Sequence, residues 1–351
     1  CHCWHEPMES SEPSILVLGL NPGLQHILRL RALDLGQVNR AEAHILGVGG
    51  KGQNAAKAAC TFASRTQNPS SRSPNAPCRV AVAQFLGGYT GEQIRQLQKQ
   101  QGIDDITVAG ATTRQFMTLV DYPHEGPPTI SELITPSEPV SGAAAEELLT
   151  KIVEAAPAFK GMLLMGTWPN GTSRDFYLKA ARAKGGMVLL DAAKPIEDVT
   201  CILEDGHIDI YKVNAMEICT LMGFECKEGN ISEDQISEAA RKSLERFPAL
   251  NHLAITDGAK SAFLYSRESN GIRCTCYELP KVECFNPIGA GDTMAGVLMA
   301  SLCSGVAKDI QEAMSFGLAA ASAKVQCEGE GGIFEMATMF TIKDAITTTL
   351  R

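Results

Sequence analysis

The sequence predicts an α/β fold: a mostly parallel sheet with helices on both faces, and a small second sheet lying over one end. Three observations predict it. Short apolar runs alternate with helix-patterned segments along most of the chain, the rhythm of parallel strands joined by crossover helices. Segments 24–47 and 112–135 break that rhythm and read as β-structure. The 351 residues are 44% hydrophobic and 20% charged, enough to bury a large sheet.

The elements follow in order. Ile15–Leu20 is an apolar run closed by Asn21-Pro22-Gly23, a buried strand entering a turn. Residues 64–78, rich in Ser, Pro, Asn and Arg, read as a surface loop. Arg79–Leu86 is a second strand ending at Gly87-Gly88, and Thr90 with Gln93 reads as a capping box for the next helix. Asp104-Asp105 follows that helix as a solvated pair. Gly161–Met165 is a strand, 172–184 a helix, and Gly186–Leu190 a strand ending in Asp191. Ile208–Val213 is a strand that leads into a helix near Ala215–Met222. Ile231–Phe247 carries the fullest helix signal: a Ser232/Gln235 capping box, a staple from Ile231 to Ile236, apolar residues at helical spacing, then Pro248. His252–Thr256 and Ala262–Tyr265 are strands, and 291–304 and 309–326 are Ala-rich apolar helices. Residues 1–13 read as a disordered tail and 14–351 as one domain, with no internal repeat.

Bulk properties exclude several function classes. The net charge is −9 and no Lys/Arg block of nucleic-acid type is present, so a DNA or RNA partner is not expected. No apolar run is long enough for a membrane span. Twelve cysteines show no disulfide-framework spacing and read as free thiols of a reducing compartment. Cys1-His2-Cys3-Trp4-His5 looks like a metal tract, but a terminal segment of this kind more often frays. Nothing reads as a secretory signal; the start at Cys1 suggests processing, and the expected location is the cytoplasm or, if a transit peptide was removed, an organelle matrix.

Two glycine turns carry chemistry. In Asn286-Pro287-Ile288-Gly289-Ala290-Gly291-Asp292-Thr293 a small-residue turn opens directly into a helix. Gly289, Ala290 and Gly291 let the backbone approach a ligand, and the helix start offers N–H groups and a positive dipole end to an anion. Asp292 in the first turn can take a proton from an acceptor hydroxyl, which is what phosphoryl transfer needs. Read alone, a Gly-x-Gly-Asp of this kind is more often a plain N-cap. The second turn is Gly47-Val48-Gly49-Gly50-Lys51-Gly52-Gln53-Asn54, before an Ala-rich helix. It reads as a substrate loop, Asn54 and backbone meeting hydroxyls and Lys51 an anion; the bland reading is a helix cap. It is not a Walker A motif, because the spacing and the Ser/Thr after Lys are missing. His26, His44 and His124 are surface or packing residues, and Cys274-x-Cys276 is structural.

Together the two turns resemble the signature motifs of the ribokinase/PfkB carbohydrate kinase family. The resemblance runs from about Ile15 to Met336, in that family's order. Asn21-Pro22-Gly23-Leu24 looks like the end of its first strand. Gly36-Gln37-Val38-Asn39-Arg40-Ala41 is similar to a stretch of its 1-phosphofructokinase and tagatose-6-phosphate kinase branch. Gly49–Asn54 matches the glycine-rich sugar motif, and Thr113-Arg114 falls where that branch has a phosphate-binding Arg. Gly166-Thr167-Trp168-Pro169-Asn170-Gly171 is similar to Ser-Gly-Ser-Leu-Pro-x-Gly. Lys212-Val213-Asn214 with Glu217 resembles Lys-Pro-Asn-x-x-Glu, and Asn286–Asp292 the Asn-Pro-Val-Gly-Ser/Ala-Gly-Asp turn.

The resemblance implies a ribokinase-like three-layer α/β/α fold whose two β-like segments form a lid, and a homodimer through that lid. It implies Asp292 as general base and the Gly289–Gly291 amides as anion hole. ATP would lie along Lys212, Asn214, Thr256, Gly258, Asn286, Gly289 and Gly291, with residues near Ala319–Cys327 flanking adenine. Asn214 and Glu217 would position Mg²⁺ through water. Gln25, Gly50, Gly52, Asn54 and Thr167 would meet the sugar, and Asn39, Arg40, Lys51 and Arg114 the substrate's own phosphate. The chain departs from the pattern at Gln25, where the family has Asp; at Ile134, near its second-lid Asn; at Trp168 and Val213; and at Asp191-Ala192-Ala193-Lys194, which lacks small polar residues.

The expected function is ATP-dependent phosphorylation of a sugar-phosphate hydroxyl, of fructose-1-phosphate or tagatose-6-phosphate type. The alternatives are a kinase for a neutral sugar or nucleoside, and a kinase-fold homologue acting as a structural or regulatory subunit, motivated by Gln25.

Overall fold

A computed structural model describes residues 14–65, 78–122, 128–227 and 230–351. The Cys/His tract, the 1–13 tail, most of the 64–78 loop and His124 lie outside the described residues. In chain order the elements are β1 Ser14–Leu18, β2 Gly23–Leu30, β3 Ala43–Gly49, α1 Lys51–Arg65, β4 Arg79–Leu86, α2 Gly88–Gln100, β5 Asp104–Ala109, β6 Arg114–Asp121 and β7 Thr129–Ile134. They continue with α3 Gly142–Ala155, β8 Gly161–Met165, α4 Phe176–Arg182, β9 Met187–Asp191, α5 Ile196–Glu204, β10 Ile210–Asn214, α6 Ala215–Leu221 and α7 Glu233–Arg246. The last are β11 His252–Thr256, β12 Ala262–Glu268, β13 Gly271–Glu278, α8 Ala290–Cys303, α9 Ile310–Lys324, α10 Met336–Ala345 and β14 Thr347–Leu350.

Ten strands form one sheet in the order β14-β13-β12-β11-β10-β9-β8-β1-β4-β5. The run from β11 to β5 is parallel, and β12 to β14 add an antiparallel edge. β1 shows why the sheet is buried on both faces. Leu16 and Leu18 enter one core, while Ile15 and Val17 enter the other, the two-residue alternation of a central strand. The first core holds Leu148 of α3, Tyr177 of α4, Val199 of α5 and Leu244 of α7; the second holds the small residues of α1 with α8, α9 and α10. This is the three-layer ribokinase-like α/β/α architecture.

The two rhythm-breaking segments pair into a separate four-stranded sheet, β3-β2-β6-β7. β2 and β6 run parallel from Gly23↔Arg114 to Leu30↔Asp121, and their neighbours are antiparallel. β3 leads straight into α1 through Gly50, at φ +121°.

Local chemistry settles the helix ends. Ser232 and Gln235 form the reciprocal box expected of them, and Asn214 and Glu217 form a second. The box expected at Thr90 and Gln93 does not form. α2 starts earlier, at Gly88, and the Thr90 hydroxyl donates instead to the Thr113 carbonyl at 2.6 Å. Asp104 and Asp105 open β5, where they remain partly exposed and hold Arg79 and Arg95. Cys274 and Cys276 are both buried in β13 as thiols outside any disulfide.

Candidate active site

β1 sits where the sheet changes direction. From it the chain builds β4 and β5 on one side and β8, β9, β10 and β11 on the other. The carboxyl ends of strands flanking such a switch leave a crevice, the usual ligand position in doubly wound sheets. Here that crevice is a cavity of about 320 Å³. Gly19 and Asn21 reach it from β1, Met165, Gly166 and Thr167 from β8, Ala192, Ala193 and Lys194 from β9, and Glu217 from beyond β10. Lys51, Gly52 and Gln53 enter from the start of α1, and Arg114 from the start of β6.

Asp191, at the end of β9, is buried and anchors this arrangement. Its Oδ1 accepts from Lys51 Nζ at 2.9 Å and its Oδ2 from Lys212 Nζ at 2.6 Å. Burial alone would raise its pKa, but the two lysines hold the carboxyl below its ordinary range. Lys51 in turn is held above the usual lysine range by Asp191, against its own desolvation, with Asp292 and Glu217 adding to the pull.

α8 packs against α1 so closely that a Cβ on Gly296 would strike the Ala55 backbone. This contact lays the Asp292 end of α8 beside Asn54. Asn54 Nδ2 donates to Asp292 Oδ2 at 2.9 Å. Asp292 is buried, and that burial raises its pKa; Lys51 opposes the rise, Asp191 adds to it, and Asn54 and Lys212 oppose it. A carboxylate with raised proton affinity is a better base than a solvated one.

The glycine that opens the turn is demanded by geometry. Gly289 caps α8 at φ +80°, and a Cβ there would lie 2.7 Å from Gly331 Cα. A Cβ on Gly291 would meet Lys212 Nζ at 3.0 Å, so this ammonium lies directly against the turn. Helix geometry leaves the first-turn amides of Gly291 and Asp292 without intrahelical partners. The Ala290 amide differs from the expectation of a three-amide hole: it donates to Pro287 O at 3.2 Å. Gly289→Ala is expected to lower kcat roughly 100-fold by shifting the turn. Gly305→Ala is the control, with similar φ (+70°) and no atom near its Cβ position. Steady-state rates of the two variants check this.

Asn214 and Thr256 are register partners at the ends of β10 and β11, with Gly258 on the following turn at φ +58°. Asn214 Oδ1 accepts from Glu217 N and Glu217 Oε2 from Asn214 N, so their capping box fixes the Glu217 carboxylate at the cavity wall. One carboxylate beside an amide oxygen is a hard, oxygen-only donor set. It suits Mg²⁺ held through its own waters.

Several expected residues lie outside the lining of this cavity. Gln25 is buried inside the smaller sheet, donating to Thr118 Oγ1 at 3.2 Å, not at the cavity wall. Asn39 and Arg40 are on the exposed 31–42 loop, where Asn39 Nδ2 donates to Asp34 O at 2.8 Å. Asn286 braces its own loop: Oδ1 accepts from Ile288 N, and Nδ2 donates to Gly329 O. Ala319, Ala320 and Ala323 pack into the core beneath the 325–332 segment. His26 and His44 stack on each other across β2 and β3.

Sequence reasoning missed Gln53, Lys57, Lys324 and Glu330. Gln53 Nε2 donates to Gly19 O and Gln84 Oε1, leaving Oε1 buried without a partner beside the cavity. Lys57 and Glu330 form a buried ion pair that also holds both backbone groups of Val48 at the end of β3. A lysine in a run of buried alanines was the available signal for Lys57.

The comparisons agree with this geometry. The pfkB family carbohydrate kinase profile matches residues 25–335. Escherichia coli phosphofructokinase-2 in complex with fructose-6-phosphate superposes with TM-score 0.76 at 19% identity, covering 95% of this chain and 99% of that one. A Thermotoga maritima protein described as a possible 1-phosphofructokinase gives 0.76 at 16% identity, covering 96% and 99%. Ribokinase from Thermotoga maritima gives 0.69 at 20% identity, covering 95% and 99%. The chain belongs to the pfkB family of carbohydrate kinases and is an ATP-dependent sugar kinase.

Proposed function

We propose that the chain transfers the γ-phosphoryl group of ATP to a hydroxyl of a sugar that already carries a phosphate, of the fructose-1-phosphate or tagatose-6-phosphate type. The observation that carries this reading is Arg114. Its guanidinium is half-buried at the cavity, stacked 4.7 Å from the Phe116 ring centroid and anchored on Asn21 O at 2.7 Å. Among the described residues it has no carboxylate partner, and neither has Lys194 across the cavity. A neutral sugar leaves such cations uncompensated; a phosphate meets the guanidinium fork with charge-assisted bonds. Gln53 Oε1, buried and unpartnered, supplies an acceptor for a sugar hydroxyl.

The chain's own residues divide the chemistry. Arg114, Lys51 and Gln53 bind and orient the sugar phosphate. Asp292 accepts the proton of the attacking hydroxyl. The Gly289–Gly291 turn and Lys212 face the charge that spreads over the moving phosphoryl group. Asn214 and Glu217 would hold Mg²⁺ through water; the ion supplies charge neutralisation between the phosphates of ATP. Two copies meeting through the lid complete the proposal.

Arg114→Ala tests the substrate assignment. Loss of a charge-assisted phosphate contact worth ~2 to 3 kcal/mol should raise KM for the sugar phosphate about 30- to 150-fold. KM for ATP should stay within about twofold. An unchanged sugar KM, or a cost shared equally with a neutral sugar, contradicts the assignment.

A further inference from the structure

Lys324 closes α9, and its side chain is fully buried. An ammonium in that position needs oxygen partners, since burying it unpaired is costly. The structure supplies carbonyls. Nζ donates to Asn286 O at 2.9 Å, and Gly329 O lies at 3.5 Å. Among the described residues no carboxylate forms an ion pair with it.

Both carbonyls belong to the segments that frame the phosphoryl turn. Asn286 begins the stretch that ends at Asp292. Its side chain ties back to Gly329 O at 3.1 Å, and Gly332 N donates to Thr293 Oγ1 at 3.2 Å. Gly289 in turn lies against Gly331. The turn and the 327–332 loop are therefore interlocked, and Lys324 puts a positive charge at their junction. A methionine would fill the same volume without the desolvation cost, so the charge itself calls for a role.

We propose that Lys324 is a positioning residue for phosphoryl transfer: its ammonium clamps the Asn286 carbonyl, holds the Gly289–Asp292 turn in place and backs it with positive charge. The inference rests on the reading of that turn as the phosphoryl-transfer centre. Fixed charge aimed at a site where negative charge develops requires no reorganisation during the reaction.

Burial pushes the Lys324 ammonium down to about 8, with Lys57 of α1 acting the same way. Cys327 at the end of α9, Cys284 before the turn and Asp292 of α8 pull the other way. Burial raises the pKa of both thiols, so neither is an anion near pH 7 and their pull sets in only as pH rises. Glu330 is committed to Lys57. The charged form holds the turn, so activity should fall as pH rises through the Lys324 pKa. A bound phosphate adds negative charge nearby and moves that limb upward. The alkaline limb should thus lie near pH 8 in kcat/KM and higher in kcat.

The experiment compares wild type, Lys324→Met, Lys324→Ala and Asp292→Asn. Lys324→Met should keep the wild-type circular dichroism spectrum, lose kcat by roughly tenfold or more, keep the sugar KM, and lose the alkaline limb. Methylammonium should restore part of the rate of Lys324→Ala by entering the space left. Wild-type kcat in Lys324→Met overturns the inference. If that variant does not fold, the wild-type profile decides: kcat/KM flat from pH 7 to 10 overturns it. If Asp292→Asn is inactive while Lys324→Met is fully active, only the lysine inference falls. If Asp292→Asn keeps full rate, the reading of the turn falls first.

Discussion

Asp292→Asn is expected to lower kcat by about 10²- to 10⁴-fold, the range for loss of a positioned general base. The substitution keeps the shape, and an amide oxygen can still accept from Asn54 Nδ2. What it removes is the proton acceptor. Stability should move the other way. The Asp292 pKa is raised in the folded protein, mainly by burial, so the ionised carboxylate works against folding at neutral pH. Removing it should leave the unfolding midpoint unchanged or higher, the trade expected where a charge is kept for chemistry. The raised pKa also sets an acid limb in kcat/KM above the ordinary aspartate range, and that limb should vanish in the variant. Stopped-flow ADP release together with thermal unfolding reads both effects. A variant that loses activity and stability together would mean that Asp292 is only a structural cap.

Asp191→Ala should be the most destabilising single change at the site. Asp191 is fully buried and receives both Lys51 and Lys212. Removing it leaves the buried Lys212 ammonium unpaired, which costs about 3 to 5 kcal/mol. The sign with pH follows from the lowered carboxyl pKa. This contribution is present above the ordinary aspartate pKa and is lost as pH falls through the depressed value. Wild type and variant should therefore converge in unfolding midpoint in strong acid and diverge at neutral pH. Activity should fall as well, since Lys51 and Lys212 both lose the group that aims them.

Much of the fold was legible because its signals are local. Arg79–Leu86, Gly161–Met165 and His252–Thr256 are apolar runs closed by turn residues, and the structure ends them at those residues. Ser232 and Gln235 stand three residues apart, the spacing that a helix start needs. Where a distant partner competed, local reading failed. The Thr90 hydroxyl had a second acceptor, the Thr113 carbonyl, which sequence proximity does not reveal. β14 went unread because Thr347–Leu350 is an exposed edge strand without apolar alternation. Helix α3 went unread although Ser141 caps it.

The same division holds at the site. The glycine turns were legible because a positive φ restricts residue choice at a single position, as at Gly289. Charge pairing was not. Lys51 and Asp191 are 140 residues apart, and Lys57 and Glu330 are 273 apart. Only the fold brings them together. The 327–332 loop shows what such pairing builds. Its Glu330 holds Val48 of the smaller sheet and Lys57 of α1, and its Glu328 meets Arg29 and Tyr122 at the far end of that sheet. One short segment thus connects the smaller sheet to the turn that carries Asp292. Asn39 and Arg40, assigned by resemblance, lie on the exposed 31–42 loop.

The most direct test is ³¹P NMR of the products formed from ATP with fructose-1-phosphate, tagatose-6-phosphate, and the two unphosphorylated ketohexoses. ADP together with a new sugar phosphomonoester resonance is expected from a phosphorylated ketohexose, and at most slow turnover from the neutral sugars. Efficient phosphorylation of a neutral ketohexose, with the phosphorylated ones left unchanged, would contradict that expectation.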